Sequence, residues 1–172
     1  HSVFTCSPVF IATLKMSDGT PVLRMYEWER IRMVPFQTDF FLPDNSEFLF
    51  VRVKIVNINE SEVSMYWWSN IAVPEKSGSR VIVPAVSAYK RGYEGTQEIF
   101  SVPVIDGVDL SYPTNFKDAA DMFYIIESGR QPWITMVDKD GIGPIQTSTL
   151  RLKGRKLFVW GMNQGGRHWQ EF

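Results

Sequence analysis

The chain is short of the residues on which most site chemistry is built. It has one cysteine, Cys6, in 172 residues, so no internal disulfide can form. The apolar neighbours of Cys6 read it as a small core residue. Only two histidines are present, one of them at position 1, too few for a histidine-based metal site. There is no His-x-x-x-His pair, no Cys-x-x-Cys pair and no Gly-x-Ser-x-Gly elbow, so a catalytic Ser or Cys has no support. Asn163-Gln164-Gly165-Gly166 lacks the spacing, the Lys-Ser/Thr pair and the following helix of a phosphate loop. A formal net charge of −1 gives no electrostatic pull toward nucleic acid or an anionic membrane. No apolar run reaches the roughly 20 residues that a membrane helix needs. No convincing helix longer than about eight residues, no repeat and no low-complexity tract is found. No cofactor is expected.

What is abundant is aromatic. Aromatic residues make up 14% of the chain, with six Trp and twelve Phe, against an ordinary 22% of charged residues. The length fits one domain, 1–172, or part of a larger one. A strand-like run opens at position 1, and Gln170-Glu171-Phe172 stops without a turn or polar tail, so the sequence reads as a piece of a longer protein. Residues 2–10 and 11–17 read as strands, closed by Asp18-Gly19, a strong hairpin signal. Residues 21–34 continue as strand, with a bend at Glu27-Trp28-Glu29, and 36–42 form an aromatic strand closed by the turn Pro43-Asp44-Asn45-Ser46. Residues 48–59 give the clearest strand, with Leu49, Val51, Val53 and Ile55 on one face and Arg52 and Lys54 on the other. Residues 80–85, 122–127, 133–138, 145–150 and 156–160 are further strands, and 117–122 could form one helical turn. Residues 86–120 read as a long irregular insertion. Short strands with regular turn signals predict an all-β, antiparallel β-sandwich. The exposed edges of such a sandwich would allow a homo-oligomer to form.

Two dense clusters stand out. Met65-Tyr66-Trp67-Trp68-Ser69-Asn70 has the composition of a strand, and consecutive tryptophans on a strand point to opposite faces. A two-residue turn after 48–59 would set Val53 opposite Trp68 and Lys54 opposite Trp67. Trp68 then joins the apolar face, and Trp67 shares a face with Arg52 and Lys54. A bulge would reverse this. The second cluster, Gly165-Gly166-Arg167-His168-Trp169-Gln170-Glu171, combines a guanidinium fork, an imidazole, a flat apolar ring and a carboxylate. Saccharides need this mixture, because their C–H faces stack on rings and their hydroxyls pair with polar side chains. The plainer reading is a loop with Trp169 in the core. The other carboxylates, Glu27, Asp39 and Glu75 among them, read as solvated surface groups. Glycoside hydrolysis needs two at a set separation. Glu171 is the one nominated for acid/base work, with His168 beside it.

The order of Leu42-Pro43, the strand 48–59, Glu62 and the aromatic stretch ending at Asn70 resembles the middle of a galactose-mutarotase-like β-supersandwich. The run Arg155 to Gly161 with Gly166 to Phe172 resembles uncharacterised bacterial members of that superfamily. The resemblance spans roughly residues 20–172. It implies a sugar-binding sheet, with Trp67 or Trp68 as stacking platform and Asn70, Arg52, Arg167, His168 and Trp169 around the ligand. Epimerases of that kind carry a His where this chain has Ser69-Asn70. Asn70 can hydrogen-bond a sugar oxygen but cannot shuttle a proton, so epimerase activity is not expected. The function expected is carbohydrate binding or processing. The alternative is a structural or interaction module of a larger bacterial protein. One cysteine fits a soluble protein of either the bacterial cytoplasm or the periplasm.

Overall fold

A computed structural model describes residues 8–64, 67–91 and 97–171. The expected strand over 2–10 falls almost wholly outside them, as do Met65 and Tyr66. The chain is all-β and antiparallel, as the turn spacing predicts, and it divides into two compact units, His1–Trp68 and Ser69–Phe172.

The first unit is a four-stranded antiparallel meander of β1 (Phe10–Lys15), β2 (Pro21–Glu29), β3 (Val34–Phe41) and β4 (Phe50–Ile55), in that order. The β1–β2 hairpin closes at Asp18-Gly19, where Gly19 takes φ +91° at no steric cost. Its N–H donates to the Met16 carbonyl, and the Asp18 carboxylate accepts from the Thr20 N–H. The Pro43–Ser46 turn also forms, with Asn45 in the left-handed region and the Ser46 N–H donating to the Pro43 carbonyl. No bend falls at 27–29. β2 runs through these residues, and the chain reverses at 30–33, where the Glu29 carboxylate accepts from the Ile31 and Arg32 N–H groups.

The second unit is a sandwich of two sheets. One has the order β13 (Arg155–Val159), β10 (Ala120–Tyr124), β6 (Ser87–Arg91), β7 (Gln97–Ser101). The other has the order β12 (Ile145–Thr147), β11 (Trp133–Val137), β5 (Arg80–Ile82). Val81 of the smaller sheet meets Ala88, Met122 and Val159 of the larger, with Ile134, Met136 and Leu157 packed at the margin. The stretch 86–120 is not irregular. It contributes β6 and β7, the short hairpin β8 (Val104–Ile105) and β9 (Val108–Asp109), and a 3₁₀ turn at Pro113–Asn115. Its many Gly and Pro residues punctuate short strands rather than abolish them. The helical turn expected over 117–122 is absent, because Ala120 already begins β10 between β13 and β6.

Candidate functional site

The pairing register decides what each face of the four-stranded sheet carries. Arg24 of β2 lies opposite Asp39 of β3, which lies opposite Arg52 of β4, so the three form one cross-strand row. Directly opposed residues on one face lie close enough to interact. The Arg24 Nε donates to Asp39 Oδ1 at 2.6 Å and its Nη2 to Oδ2 at 2.9 Å, a bidentate pair. Arg52 Nη2 donates to Oδ2 at 2.9 Å, and Gln37 Nε2 adds a fourth bond at 3.1 Å. The Asp39 side chain is fully buried, whereas that of Arg24 is 28% exposed and that of Arg52 56%. The Arg24 hydrogen bond, helped by that of Arg52, holds the Asp39 carboxyl down at about 2 against its burial. Asp39 is thus an acceptor that fixes two guanidinium groups, not the solvated surface carboxylate that the sequence suggests. The signal that finds it is parity: once β3 and β4 pair, Asp39 and Arg52 must share a face.

Aromatic pairs bracket this row. Phe10 and Tyr26 stack at 5.4 Å with 23° between ring planes. Phe41 and Phe50 stack at 5.1 Å and 7°. Both pairs lie on the arginine face, one row to either side of Arg24–Asp39–Arg52. The Arg52 guanidinium carbon sits 5.5 Å from the Phe41 ring centre, within cation–π range. Phe10, Tyr26 and Phe50 are all exposed.

Among the described residues the expected hairpin between 48–59 and the tryptophan stretch is not formed: β4 pairs only with β3, and residues 67–74 have no regular structure. Trp67 is therefore not held opposite Lys54 on the arginine face. Its ring lies 6.2 Å from that of Phe36, which is buried and shares the other face with Val53 and Ile55. Trp68 and Asn70 are exposed. Of the residues nominated from sequence, Arg52, Trp67 and Trp68 lie in the first unit, and Asn70, Arg167, His168, Trp169 and Glu171 in the second.

In the second unit, Gln164–Trp169 forms a short helix, α1. Gly165 and Gly166 are poor helix formers, which hid it in the sequence. Asn163 starts it, its side-chain oxygen accepting from the Gly166 N–H at 2.6 Å. The Trp169 ring stacks on Trp160 at 5.3 Å and 12°, and Trp160 meets Phe158 edge-on at 4.7 Å. Glu75 ties this cluster together, accepting from the Trp160 N–H at 2.8 Å and from Gln170 Nε2 at 3.1 Å. Its half-burial pushes the Glu75 carboxyl up, against the backbone hydrogen bonds from Trp160 and Gly161. Arg167, His168 and Glu171 are exposed and border an open hollow with Gln164 and Gly165. A Cβ on Gly166 would collide with the carbonyl oxygens of Trp160 and Gly161, which are backbone atoms with nowhere to move. Gly166→Ala is expected to cost about 1–3 kcal/mol, the ordinary cost of overpacking. It should also loosen the Trp160–Trp169 stack, seen as a weakened near-ultraviolet dichroism signal.

An apolar cavity of about 220 Å³ in the second unit is lined by Val81, Val83, Val102, Leu110, Met122 and Tyr124, among others. Burial pushes the Tyr124 hydroxyl up to about 12, so it stays neutral. Among the described residues, no helix is long and apolar enough to cross a membrane.

The fold and the cross-strand site define an antiparallel all-β protein whose polar groups are carried on a sheet face. The chain belongs to a family described as a domain of unknown function, DUF5107, whose model matches residues 1–172. No curated protein and no solved structure matches it.

Proposed function

We propose that the first unit is a carbohydrate-binding module and that the arginine face of its sheet is the binding surface. The observation that carries this reading is the row Arg24–Asp39–Arg52, with an aromatic pair on each side in which Phe10, Tyr26 and Phe50 are exposed. A pyranose has apolar C–H faces and a rim of hydroxyls. A half-exposed ring offers the first a platform, and a fixed guanidinium offers the second a fork of donors. Asp39 holds Arg52 in place in the unbound protein, so less side-chain freedom is lost on binding. The resemblance to galactose-mutarotase-like domains supports the same reading. Arg52 keeps its nominated role, Tyr26 and Phe50 replace Trp67 as platforms, and no acid/base step is assigned to Glu171 or His168.

The test is a titration of the whole chain with a panel of neutral and acidic oligosaccharides by calorimetry. Binding to at least one of them is expected, with Arg52→Ala and Tyr26→Ala each weakening it at least tenfold. Tyr26 is exposed, so its change should move the unfolding midpoint little. Arg52→Ala should lower the midpoint only modestly, because it removes one hydrogen bond from the buried Asp39 while the bidentate Arg24 pair remains. No heat with any saccharide would remove the proposal.

A second reading has its own support. On the opposite face of the same sheet Ile11, Leu23 and Val51 are 64%, 46% and 55% exposed. Such a contiguous apolar patch marks an interaction surface. An interaction module would show concentration-dependent mass in light scattering, reduced by Val51→Lys.

A further inference from the structure

The arginine face has a charge imbalance that narrows the ligand. It carries three cations, Arg24, Arg52 and Lys54, against one carboxylate, Asp39. The acids Glu27 and Glu29 of β2 point to the other face by strand alternation. Arg24 spends its Nε and Nη2 on Asp39, but Arg52 gives Asp39 only one donor. Arg52 Nη2 gives one of its two hydrogens to Asp39. Its second hydrogen, with the N–H beside it on Nε or Nη1, leaves one two-donor edge of the guanidinium open, and the Lys54 ammonium has no ion-pair partner among the described residues. Both side chains lie on β4, two residues apart on one face, so their Cβ atoms are separated by roughly 6.5–7 Å. Phe50 lies the same distance beyond Arg52 along the strand. A sugar ring stacked on Phe50 would present a ring substituent to the free edge of the Arg52 guanidinium.

Resting on the carbohydrate reading above, we infer that this face takes a saccharide bearing a carboxylate, that is, a uronic acid. A planar guanidinium edge fits a planar carboxylate with two parallel N–H···O bonds, which a hydroxyl cannot match. Lys54 adds a second positive charge on the side away from Phe50. The Phe10–Tyr26 pair stands four residues along the strand direction from the Phe41–Phe50 pair, roughly 13 Å. That is longer than one sugar ring, so the two platforms serve an oligosaccharide whose acidic unit lies at Arg52.

Calorimetric titration of the whole chain with trigalacturonate and with its carboxyl-reduced, neutral counterpart tests this. The acidic trisaccharide is expected to bind at least tenfold tighter. Arg52→Gln should erase that preference, and Lys54→Gln should reduce it while leaving the fold intact by far-ultraviolet dichroism. Equal affinity for the two, or tighter binding of the neutral one, would overturn the acidic preference while leaving carbohydrate binding standing. Binding of short polyglutamate as tight as that of trigalacturonate would overturn the saccharide itself, as would silence with every sugar. A sulfated trisaccharide binding tighter than the uronate would overturn the carboxylate assignment.

Discussion

Asp39→Asn is expected to lower the stability of the chain by about 2–3 kcal/mol, as measured by chemical denaturation at pH 7. Removing one partner of a buried ion pair costs about 3–5 kcal/mol when the remaining charge is stranded away from water. Here both remaining arginines keep access to solvent, Arg24 at 28% and Arg52 at 56% exposure, which sets the expectation below that range. Asparagine also turns two of the acceptor sites into donors that face guanidinium donors, so its loss is not that of charge alone. The effect should depend on pH. The folded carboxyl lies near 2, below its ordinary 3.8. A depressed carboxyl stabilises the fold above its unfolded value, and that contribution disappears as pH falls through the folded one. The gap between wild type and Asp39→Asn should therefore be full at pH 7, shrink below about pH 4 and be nearly closed near pH 2. A cost under about 0.5 kcal/mol at pH 7, or one independent of pH, would show that Asp39 does not hold the two arginines. Saccharide affinity should fall in the same variant, because Arg52 loses the group that orients it.

Met122→Ala should cost about 3 kcal/mol, within the 2–5 kcal/mol found for such truncations. Met122 is 1% exposed and sits mid-strand on β10, with β13 on one side and β6 on the other. Val81 from the facing sheet belongs to the same core. Backbone pairing on both sides of β10 prevents the site from collapsing, so the cavity term persists. A urea midpoint that falls with unchanged slope is the expected signature. The control is Ile99→Ala on the exposed part of β7, where the side chain is 60% exposed. A change there should stay within about 0.5 kcal/mol. If Met122→Ala and Ile99→Ala cost the same, the two-sheet core is not where the structure places it.

These residues also show what the sequence could and could not reveal. Asp18-Gly19 and Asn45 announced their turns because left-handed backbone demands those residue types. The alternation in β4 gave the two faces of Arg52 and Val53 correctly. What alternation cannot give is the partner of a strand. The tryptophan stretch was read as the neighbour of β4 because it follows in sequence and has strand composition. The neighbour is β3, and residues 67–74 stay irregular. Trp67 went to Phe36 as a result, and the rings beside Arg52 are Phe41 and Phe50, which nothing in the sequence singles out from the other aromatic strand residues. Asp39 was hidden for the same reason. A carboxylate in a strand becomes a buried anchor only when two arginines arrive from strands 15 residues before it and 13 after it. In 86–120, glycine and proline obscured strands whose stability comes from pairing with β10 and each other rather than from local preference.

The most direct measurement of the central claim is nuclear magnetic resonance of the arginine side chains while trigalacturonate is added to the whole chain. The Arg52 Nε–H resonance is expected to shift progressively and saturate, with smaller shifts at the Tyr26 and Phe50 rings. Shifts confined to Arg167, His168 and Trp169, or no shift at any arginine, would contradict the assignment of the binding surface to the first unit.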